Sequence, residues 1–286
     1  MKKTAIVTGA NTGLGFAAAK GLVERDYHVV LACRSREKGR AAQKELGPNA
    51  LFRKLDMTSF SSIEFFLHEI KNNYEGIDLL YNNAGIMYVP FKTTEEGFES
   101  TIATNYLGTF YSTLELLELM KYREDSRIVQ VSSIAMYLAR DVRLEGLHEE
   151  KDYNPWTWYN YSNLYRTMFA FELDEKLKDH HTKVVVAHPG ITKSRLRKRR
   201  KRTFTTMGFD FIATNIKTGV APILEASTSL DIKGKEVFGP GIIHQYGKPR
   251  IYKGNKIAYD TEERKKLWNY SVDLTGKDYR LSLIHI

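Results

Sequence analysis

Short apolar runs rich in β-branched residues recur along the chain, and stretches with helical spacing separate them. The runs are Thr4–Thr8, Tyr27–Cys33, Ala50–Leu55, Ile77–Tyr81, Arg127–Ser132 and Lys183–His188. Runs of this kind are typical of strands buried on both faces of a parallel sheet. The helical stretches are Leu14–Arg25, Arg36–Leu46, Ser59–Asn73, Glu95–Lys121 and Trp158–Leu177. This alternation predicts an α/β fold, a doubly wound parallel sheet with helices on both faces.

No internal repeat, low-complexity linker or Pro/Gly-rich boundary divides the chain into two units. A length of 286 residues suits one α/β domain with a large buried core. We therefore predict a single domain over residues 1–280. The last six residues, Leu281–Ile286, read like a translated adapter from library preparation, and we predict that they are a non-native tail.

The composition indicates the cellular compartment of the protein more than it indicates its function. With 42% hydrophobic and 27% charged residues, the chain is typical of a soluble globular protein. Cys33 is the only cysteine, which excludes an intrachain disulfide and fits a reducing compartment. The apolar run at Thr4 begins too early to leave room for a signal peptide or a transmembrane anchor. We predict a cytoplasmic protein with no metal site.

The formal net charge of +9 comes almost entirely from one segment. Its basic residues are Lys193, Arg195, Arg197, Lys198, Arg199, Arg200, Lys201 and Arg202. Because the rest of the chain is nearly neutral, no nucleic-acid partner is predicted. The segment could attract an anionic substrate or a membrane surface, or serve in nuclear targeting, but a solvated loop is the interpretation that we favour.

A glycine-rich segment follows the first predicted strand directly and leads into an alanine-rich helix. Gly9 permits a tight turn, Gly13 lets the backbone approach a pyrophosphate, and Gly15 allows close packing of helix on strand. The alternative is an ordinary βα turn, but the position at the first strand favours a dinucleotide site on a Rossmann-type sheet. The predicted contacts are Gly9, Asn11, Thr12, Gly13, Leu14 and Gly15.

The end of the second strand selects between the two nicotinamide dinucleotides. An acidic residue there would bind the ribose hydroxyls and repel a 2′-phosphate. This strand instead ends in Cys33-Arg34-Ser35, with Lys38 three residues further on. Since Arg34 can pair bidentately with a phosphate, we predict NADP(H), with Arg34 and Lys38 as contacts. The alternative interpretation is a solvated basic turn.

Further motifs continue in order along nearly the whole chain. They are Asp56 in Leu-Asp-Met-Thr-Ser, Asn82-Asn83-Ala84-Gly85, Thr104-Asn105-Tyr106-Leu107-Gly108, Val131-Ser132-Ser133 and His188-Pro189-Gly190. With the pattern T-G-x-x-x-G-x-G, the chain resembles the short-chain dehydrogenase/reductase family. A long insertion between Ser133 and Tyr159 resembles the retinol-dehydrogenase-like relatives of protochlorophyllide reductase. The resemblance implies further cofactor contacts at Asp56, Met57, Asn83, Ala84, Gly85, Pro189, Gly190 and Thr192.

The resemblance also implies a reaction and a set of catalytic residues. In the family a hydride passes between the nicotinamide and a carbonyl or alcohol carbon while a tyrosine exchanges a proton with the oxygen. By the family's motifs Tyr159 is that acid/base, Ser133 polarises the oxygen, and Asn105 holds a water linked to a lysine. We expect a small apolar substrate and a possible homodimer that pairs through the helices of Asn105 and Tyr159. Six aromatic residues could either line the substrate pocket or belong to the core. They are Tyr153, Trp156, Trp158, Phe204, Phe209 and Phe211.

The position of the family's catalytic lysine is Asn163 in this chain. Lowering the pKa of a phenol from about 10 to about 7 needs roughly 4 kcal/mol, much of it expected from that lysine and the cofactor charge. Asn163 can bind a ribose hydroxyl but supplies no charge. Arg166, seven residues after Tyr159, is either a substitute cation or the partner of a neighbouring acid. A misread codon is a third explanation, and a non-catalytic dinucleotide-binding protein is the alternative function.

Overall fold

The computed structural model describes residues 2–121, 123–193, 213–229 and 232–279. They form one eight-stranded sheet in the order β3-β2-β1-β4-β5-β6-β7-β8, in which only β8 is antiparallel to its neighbour. The strands are β1 Thr4–Thr8, β2 His28–Cys33, β3 Ala50–Lys54, β4 Leu79–Asn82, β5 Arg127–Val131, β6 Lys183–Ala187, β7 Val237–Ile242 and β8 Tyr246–Tyr252. The α/β prediction is therefore confirmed. The terminal hexapeptide, residues 194–202 of the basic segment, and Phe204, Phe209 and Phe211 lie outside the described residues.

Several of the helices begin where a short polar side chain caps them. Ser35, Ser59 and Asn154 each accept a hydrogen bond from a backbone N–H of the first helical turn. Among the described residues no helix is both long and apolar enough to cross a membrane. The helices are α1 Gly13–Val23, α2 Arg36–Leu46, α3 Phe60–Asn73, α4 Ser100–Ile102, α5 Gly108–Leu116, α6 Pro155–Lys176, α7 Ile216–Thr228 and α8 Thr261–Thr275.

Two apolar clusters cover the two faces of the sheet, because successive side chains of a strand point to opposite faces. In β1, Ala5 and Val7 contact one cluster, whereas Ile6 contacts the other. The first cluster also contains side chains of α1, α2 and α7, and the second contains those of α3, α5, α6 and α8. Burial on both faces explains why the strands are continuous apolar runs.

The predicted helix over Glu95–Lys121 is shorter than expected and contains a wide turn. Gly97 has a φ of 84°, which a helix does not allow, and the Glu99 carboxylate caps the start of α4. Between α4 and α5 the five residues Ala103–Leu107 form a π-helical turn, and the N–H of Gly108 donates to the Ala103 carbonyl. The turn places Asn105 at its centre. A π-helical turn is frequent at functional sites.

Strands β7 and β8 were not predicted from the sequence. Each contains glycine and proline, which argue against a central strand. Pro240 and Pro249 pair with each other at the end of the sheet, where β8 is the edge strand. Pro249 is tolerated because one side of an edge strand needs no backbone hydrogen bond, and Pro240 because it lies beyond the last residue of β7 that pairs with β6.

Helix α6 is surrounded on every side. Each residue from Asn160 to Leu173 is buried. Its outer side is covered by α8, whose Trp268 lies 5.1 Å from the Phe110 ring and 5.9 Å from the Phe169 ring. Arg264 of α8 also forms a buried ion pair with Glu172. The predicted homodimer would have to displace α8 in order to pair through α6.

We predict that Gly108→Ala destabilises the fold. A Cβ on Gly108 would lie 2.3 Å from the carbonyl oxygen of Met57, a backbone atom that cannot rotate away. The expected loss is roughly 1–3 kcal/mol of unfolding free energy, despite the better helix propensity of alanine. Urea unfolding measures it. Gly254→Ala is the control, because its Cβ would approach side-chain atoms only to 3.3 Å. An equal loss in both variants would contradict the prediction.

Candidate active site

The glycine loop forms an open anion site at the start of α1. Gly9 and Gly13 have φ values of 68° and 62°, in the left-handed region that favours glycine. A Cβ on Gly15 would lie 2.5 Å from the Gly9 carbonyl oxygen, whereas one on Gly13 would meet nothing within 4 Å. Thr12 precedes α1 without capping it through its side chain. The first N–H groups of α1 are therefore available to a phosphate.

One cleft contains most of the residues that the sequence motifs predict as cofactor contacts. Lys38 is exposed on α2 and does not line the cleft, and neither do the residues of the loop after β6. Ile86 and Thr104 line it as well, although neither was predicted as a cofactor contact. The predicted contacts that line it are Gly9, Asn11, Thr12, Gly13, Leu14, Gly15, Arg34, Asp56, Met57, Asn83, Ala84 and Gly85.

The hydroxyl of Thr8 joins the two loops that form the floor of the cleft. It accepts hydrogen bonds from the backbone N–H groups of Asn83 and Ala84, both at 2.9 Å, and donates to the Tyr81 carbonyl at 3.2 Å. The Asn83 amide donates to the Thr8 carbonyl at 2.8 Å. The strand order reverses between β1 and β4, the position where ligands of such sheets bind.

At the far end of the cleft Arg34 and Asp56 face each other. The Arg34 side chain is 65% exposed, and its Nε lies 3.9 Å from the Asp56 carboxylate. Asp56 Oδ1 accepts hydrogen bonds from the backbone N–H and the hydroxyl of Thr58. The carboxylate is therefore held by its own turn, while the guanidinium is free to move toward a ligand.

The loop after β6 is held by two side chains that the sequence motifs only partly indicate. Gly190, with a φ of 66°, donates its N–H to His188 Nδ1. Burial lowers the pKa of His188 to about 3, so its ring is neutral at pH 7. The Gln245 side chain accepts from the Ile191 N–H at 2.6 Å and donates to the Ile191 carbonyl at 2.7 Å. The turn between β7 and β8 therefore holds this loop.

The same loop approaches the glycine loop through α7. A Cβ on Gly219 would lie 3.3 Å from both Leu14 and Pro189, and 2.1 Å from the methyl group of Thr192. Thr192 is buried and pairs with Thr214 as an isolated bridge. Pro189, Gly190 and Thr192 thus lie near the start of α1 without lining the cleft itself.

Ser133 and Tyr159 are partly exposed, whereas Ser132, Trp158 and Asn160 beside them are buried. The Ser132 hydroxyl donates to the Asn163 carbonyl at 3.0 Å. The Ser133 hydroxyl accepts from the Ala135 N–H, and among the described residues its own proton has no acceptor. Of the two adjacent serines, Ser133 is therefore the one that can donate to a substrate.

The Tyr159 ring contacts a pair of stacked aromatic rings. Tyr88 lies edge-on to Tyr159 with 5.2 Å between ring centroids, and Trp156 stacks on Tyr88 at 4.6 Å. Tyr88 has a φ of 54°, a costly value for a residue with a Cβ. Trp158, by contrast, is a core residue whose indole N–H donates to the Leu147 carbonyl. Trp156 therefore lies beside the predicted acid/base, and Trp158 belongs to the core.

Asn105 connects three parts of the site. Its amide oxygen accepts from the Ile86 N–H at 2.8 Å, and its amide nitrogen donates to the Ile86 carbonyl and to Ser162 Oγ. The backbone carbonyl of Asn105 accepts from Arg166 Nε. Arg166 is therefore a protein donor to the same residue at which the family pattern predicts a water.

Asn163 faces its own helix. Its amide nitrogen donates to the Tyr159 carbonyl at 2.8 Å, and the residue is 1% exposed. One N–H and the amide oxygen remain for other partners. Arg166, three residues further on, is buried in the same helix. The positive charge near the predicted acid/base is therefore at position 166 and not at position 163.

Comparison with known proteins identifies the family. The model of the short chain dehydrogenase family matches residues 3–204. The chain is 35% identical over 282 residues to retinol dehydrogenase 11 of Homo sapiens, which covers 96% of this chain and 86% of that protein. It is 34% identical over 290 residues to retinol dehydrogenase 13 of Homo sapiens, which covers 96% and 85%.

The chain belongs to the short-chain dehydrogenase family. The similarity confirms the predicted retinol-dehydrogenase-like subgroup. A solved structure of an uncharacterized protein from Mycobacterium Paratuberculosis has a TM-score of 0.81 and 33% identity, covering 98% of this chain and 95% of that one. An actinorhodin polyketide ketoreductase with NADPH shares the fold, with a TM-score of 0.64, 22% identity, and coverage of 80% and 91%.

Members of the short-chain dehydrogenase family are oxidoreductases that bind a nicotinamide dinucleotide. Several residues that build the site in this member were not predicted from its sequence. Thr8 belonged to a quoted motif without a role, and Gln245 lies in a turn that carries no family pattern. Trp156 was named as a candidate pocket aromatic, but Tyr88 was not, because the two stacked rings come from distant segments and their contact has no spacing signal.

We predict that Thr8→Val destabilises this short-chain dehydrogenase and weakens dinucleotide binding. Valine keeps the shape but leaves the Ala84 N–H without its acceptor and the Asn83 N–H with only the Tyr81 carbonyl, at a cost of roughly 1–3 kcal/mol. Urea unfolding and NADPH fluorescence titration measure the two effects. Thr109→Val is the matched control, since Thr109 is 1% exposed and its hydroxyl has no partner among the described residues. If both variants lose the same stability, the hydroxyl of Thr8 has no special role.

Proposed function

We propose that this chain is an NADP(H)-dependent oxidoreductase that interconverts a carbonyl and an alcohol by hydride transfer. Tyr159 is the acid/base and Ser133 donates a hydrogen bond to the substrate oxygen. The observation that carries the proposal is the contrast in exposure at this edge of the sheet. Ser133 and Tyr159 are accessible, whereas Ser132 and Asn160 beside them are buried.

The cleft fits a phosphorylated dinucleotide by its donor set. The uncapped start of α1 and the open position at Gly13 suit a pyrophosphate, and the exposed Arg34 suits a 2′-phosphate. When bound, the cofactor supplies or accepts the hydride at its nicotinamide ring. The loops of Asn83 and Gly190 bound the opposite end of the site, and Asn105 fixes the backbone at Ile86. These residues orient the reactants without taking part in proton transfer.

In the reducing direction, Tyr159 gives its hydroxyl proton to the substrate oxygen as the carbonyl carbon accepts the hydride. Ser133 holds that oxygen by donating its own O–H. The Tyr88 and Trp156 rings beside Tyr159 favour an apolar substrate. Retinol, which the names of the two human relatives specify for those proteins, is an alcohol of this kind. A cytoplasmic location and the homodimer stay predictions.

A non-catalytic dinucleotide-binding protein is the second candidate, and one observation favours it. Asn163 is neutral, and its amide is hydrogen-bonded to the Tyr159 carbonyl. In this account the cleft binds the cofactor but no proton transfer follows. Cofactor binding without oxidation of NADPH by any carbonyl would identify this function.

We predict carbonyl-dependent oxidation of NADPH by the chain as it stands. Tyr159→Phe removes the proton donor and is expected to lower kcat by about 10²- to 10⁴-fold, with NADPH binding retained. The measurement is the absorbance of NADPH over a panel of apolar aldehydes and ketones. Asn163→Lys is the companion variant. Absence of turnover in both the unmodified chain and Asn163→Lys would refute the oxidoreductase function for this panel.

We also predict that Arg34→Ala weakens NADPH binding about 10- to 100-fold and changes NADH binding little. A charge-assisted hydrogen bond to the 2′-phosphate contributes about 1.5–3 kcal/mol, and NADH has no such phosphate. Fluorescence titration with each cofactor gives the two dissociation constants. Lys44→Ala in the last turn of α2 removes one charge outside the cleft and serves as the control. An equal effect of Arg34→Ala on both cofactors would exclude the phosphate role.

A further inference from the structure

Arg166 is a buried cation without a carboxylate partner. It is 5% exposed, and no carboxylate of the described part of the chain lies within 4 Å of its guanidinium. Arg264, which is 4% exposed, shows the ordinary arrangement, because its Nε lies 3.0 Å from the Glu172 carboxylate. Removing a charge from water is costly unless the charge is paired. The unpaired guanidinium is therefore an exception within the same chain.

Three backbone carbonyls hold the guanidinium in place of an acid. Nε donates to Asn105, Nη1 donates to Val131 at 2.8 Å, and Nη2 donates to Ala84. These carbonyls belong to the π-helical turn, the end of β5 and the loop after β4. The π-helical turn contains Asn105, the loop after β4 contains Asn83, and β5 leads into the segment that contains Ser133. A guanidinium has five N–H donors, so two remain beyond these three bonds.

The guanidinium also lies directly behind the wall of the cleft. A Cβ on Gly85 would be 3.4 Å from each terminal nitrogen of Arg166 and 3.3 Å from Asn105 Oδ1. Burial lowers the pKa of Arg166 to about 10, and the Tyr159 phenol acts in the opposite direction. At neutral pH the Arg166 side chain is therefore charged, and it interacts electrostatically with Tyr159.

Position 166 is next to position 163 on the helix surface. Residues three apart are neighbours on one helical face, and long side chains on a helix lean toward its N-terminus. A cation at 166 can thus reach the region that a shorter lysine at 163 would occupy. Asn163 does not compete for that region, because its amide binds the helix's own Tyr159 carbonyl.

We propose that Arg166 supplies the fixed positive charge of this site in place of a lysine at position 163. This inference rests on the proposed oxidoreductase function. Arg166 is a positioning residue that acts through Tyr159. When Tyr159 gives its proton to the carbonyl oxygen, the phenolate that remains is stabilised by the guanidinium until a proton from solvent restores the hydroxyl. In alcohol oxidation the same phenolate accepts the proton.

The test is the pH profile of NADP⁺-dependent alcohol oxidation by the full chain. Removing a nearby cation disfavours the phenolate, so Arg166→Met should move the acid limb of kcat/KM to higher pH by about one unit or more. Arg166→Lys keeps the charge, so its acid limb should move by no more than about half of that shift. Asn163→Lys combined with Arg166→Met returns the cation to the neighbouring position and should restore the limb.

A readout independent of turnover is the ionisation of Tyr159 followed by NMR of ring-labelled tyrosine. Tyr159→Phe assigns its signal, and Tyr88, whose ring contacts Tyr159, is the other titratable group at this ring. In Arg166→Met the pH midpoint of the Tyr159 signal should move to higher pH, as the acid limb of kcat/KM does. Arg264→Met is the matched control: it removes an equally buried arginine and its ion pair, and should lower stability without moving the midpoint.

An unchanged acid limb and midpoint in Arg166→Met would overturn the proposal and leave the oxidoreductase function standing. Turnover by Asn163→Lys but not by the unmodified chain would also overturn it, because Arg166 would then fail to replace the lysine. If neither form turns over, the proposed function fails together with the inference. Should Arg166→Met not fold, Arg166→Gln takes its place, since glutamine keeps two N–H donors without the charge.

Discussion

The hydroxyl of Thr8 is the contact on which the geometry of the site depends. Parallel strands bring their carboxyl ends to one edge, and the strand order reverses between β1 and β4, so two loops meet there. Loops that meet at a sheet edge carry N–H groups outside the strand ladder, and those of Asn83 and Ala84 both donate to the Thr8 hydroxyl. The same hydroxyl therefore fixes the distance between the glycine loop and the wall at Gly85. The width of the cleft between these two loops therefore depends on the Thr8 hydroxyl.

Burial of α6 on all sides restricts the contacts that a polar side chain on this helix can make. A surface helix can turn a new polar side chain toward water, but α6 has no such face between Asn160 and Leu173. An asparagine at 163 is thus compelled to bond within its own helix, and an arginine at 166 must find acceptors in the interior. The covering helix α8 adds to this constraint and keeps α6 from offering a free face to a second copy of the chain.

Local signals in the sequence were sufficient for the parts of the fold that depend on neighbouring residues. The apolar runs predicted six strands within two residues of their observed ends, and Gly9, Gly13 and Gly15 predicted the loop between β1 and α1. Strands β7 and β8 were not predicted because a proline is compatible with a strand only where one side is unpaired, as at the edge strand β8 or beyond the last β6–β7 pair, and this depends on the whole sheet. The Gln245 contact to Ile191 and the π-helical turn at Asn105 were not predicted for a similar reason, since both depend on packing between distant segments.

Arginine and lysine satisfy a buried site in different ways, and this difference connects Asn163 with the hydrogen bonds of Arg166. An ammonium is compact and strongly hydrated, so a buried lysine favours a site that keeps a water for it. A guanidinium is planar, more weakly hydrated, and has five donors, three of which meet the carbonyls of Asn105, Val131 and Ala84 here. A neutral residue at 163 and a guanidinium donor at the Asn105 carbonyl are accordingly compatible with each other, because Arg166 holds the cation and Asn163 needs no charge.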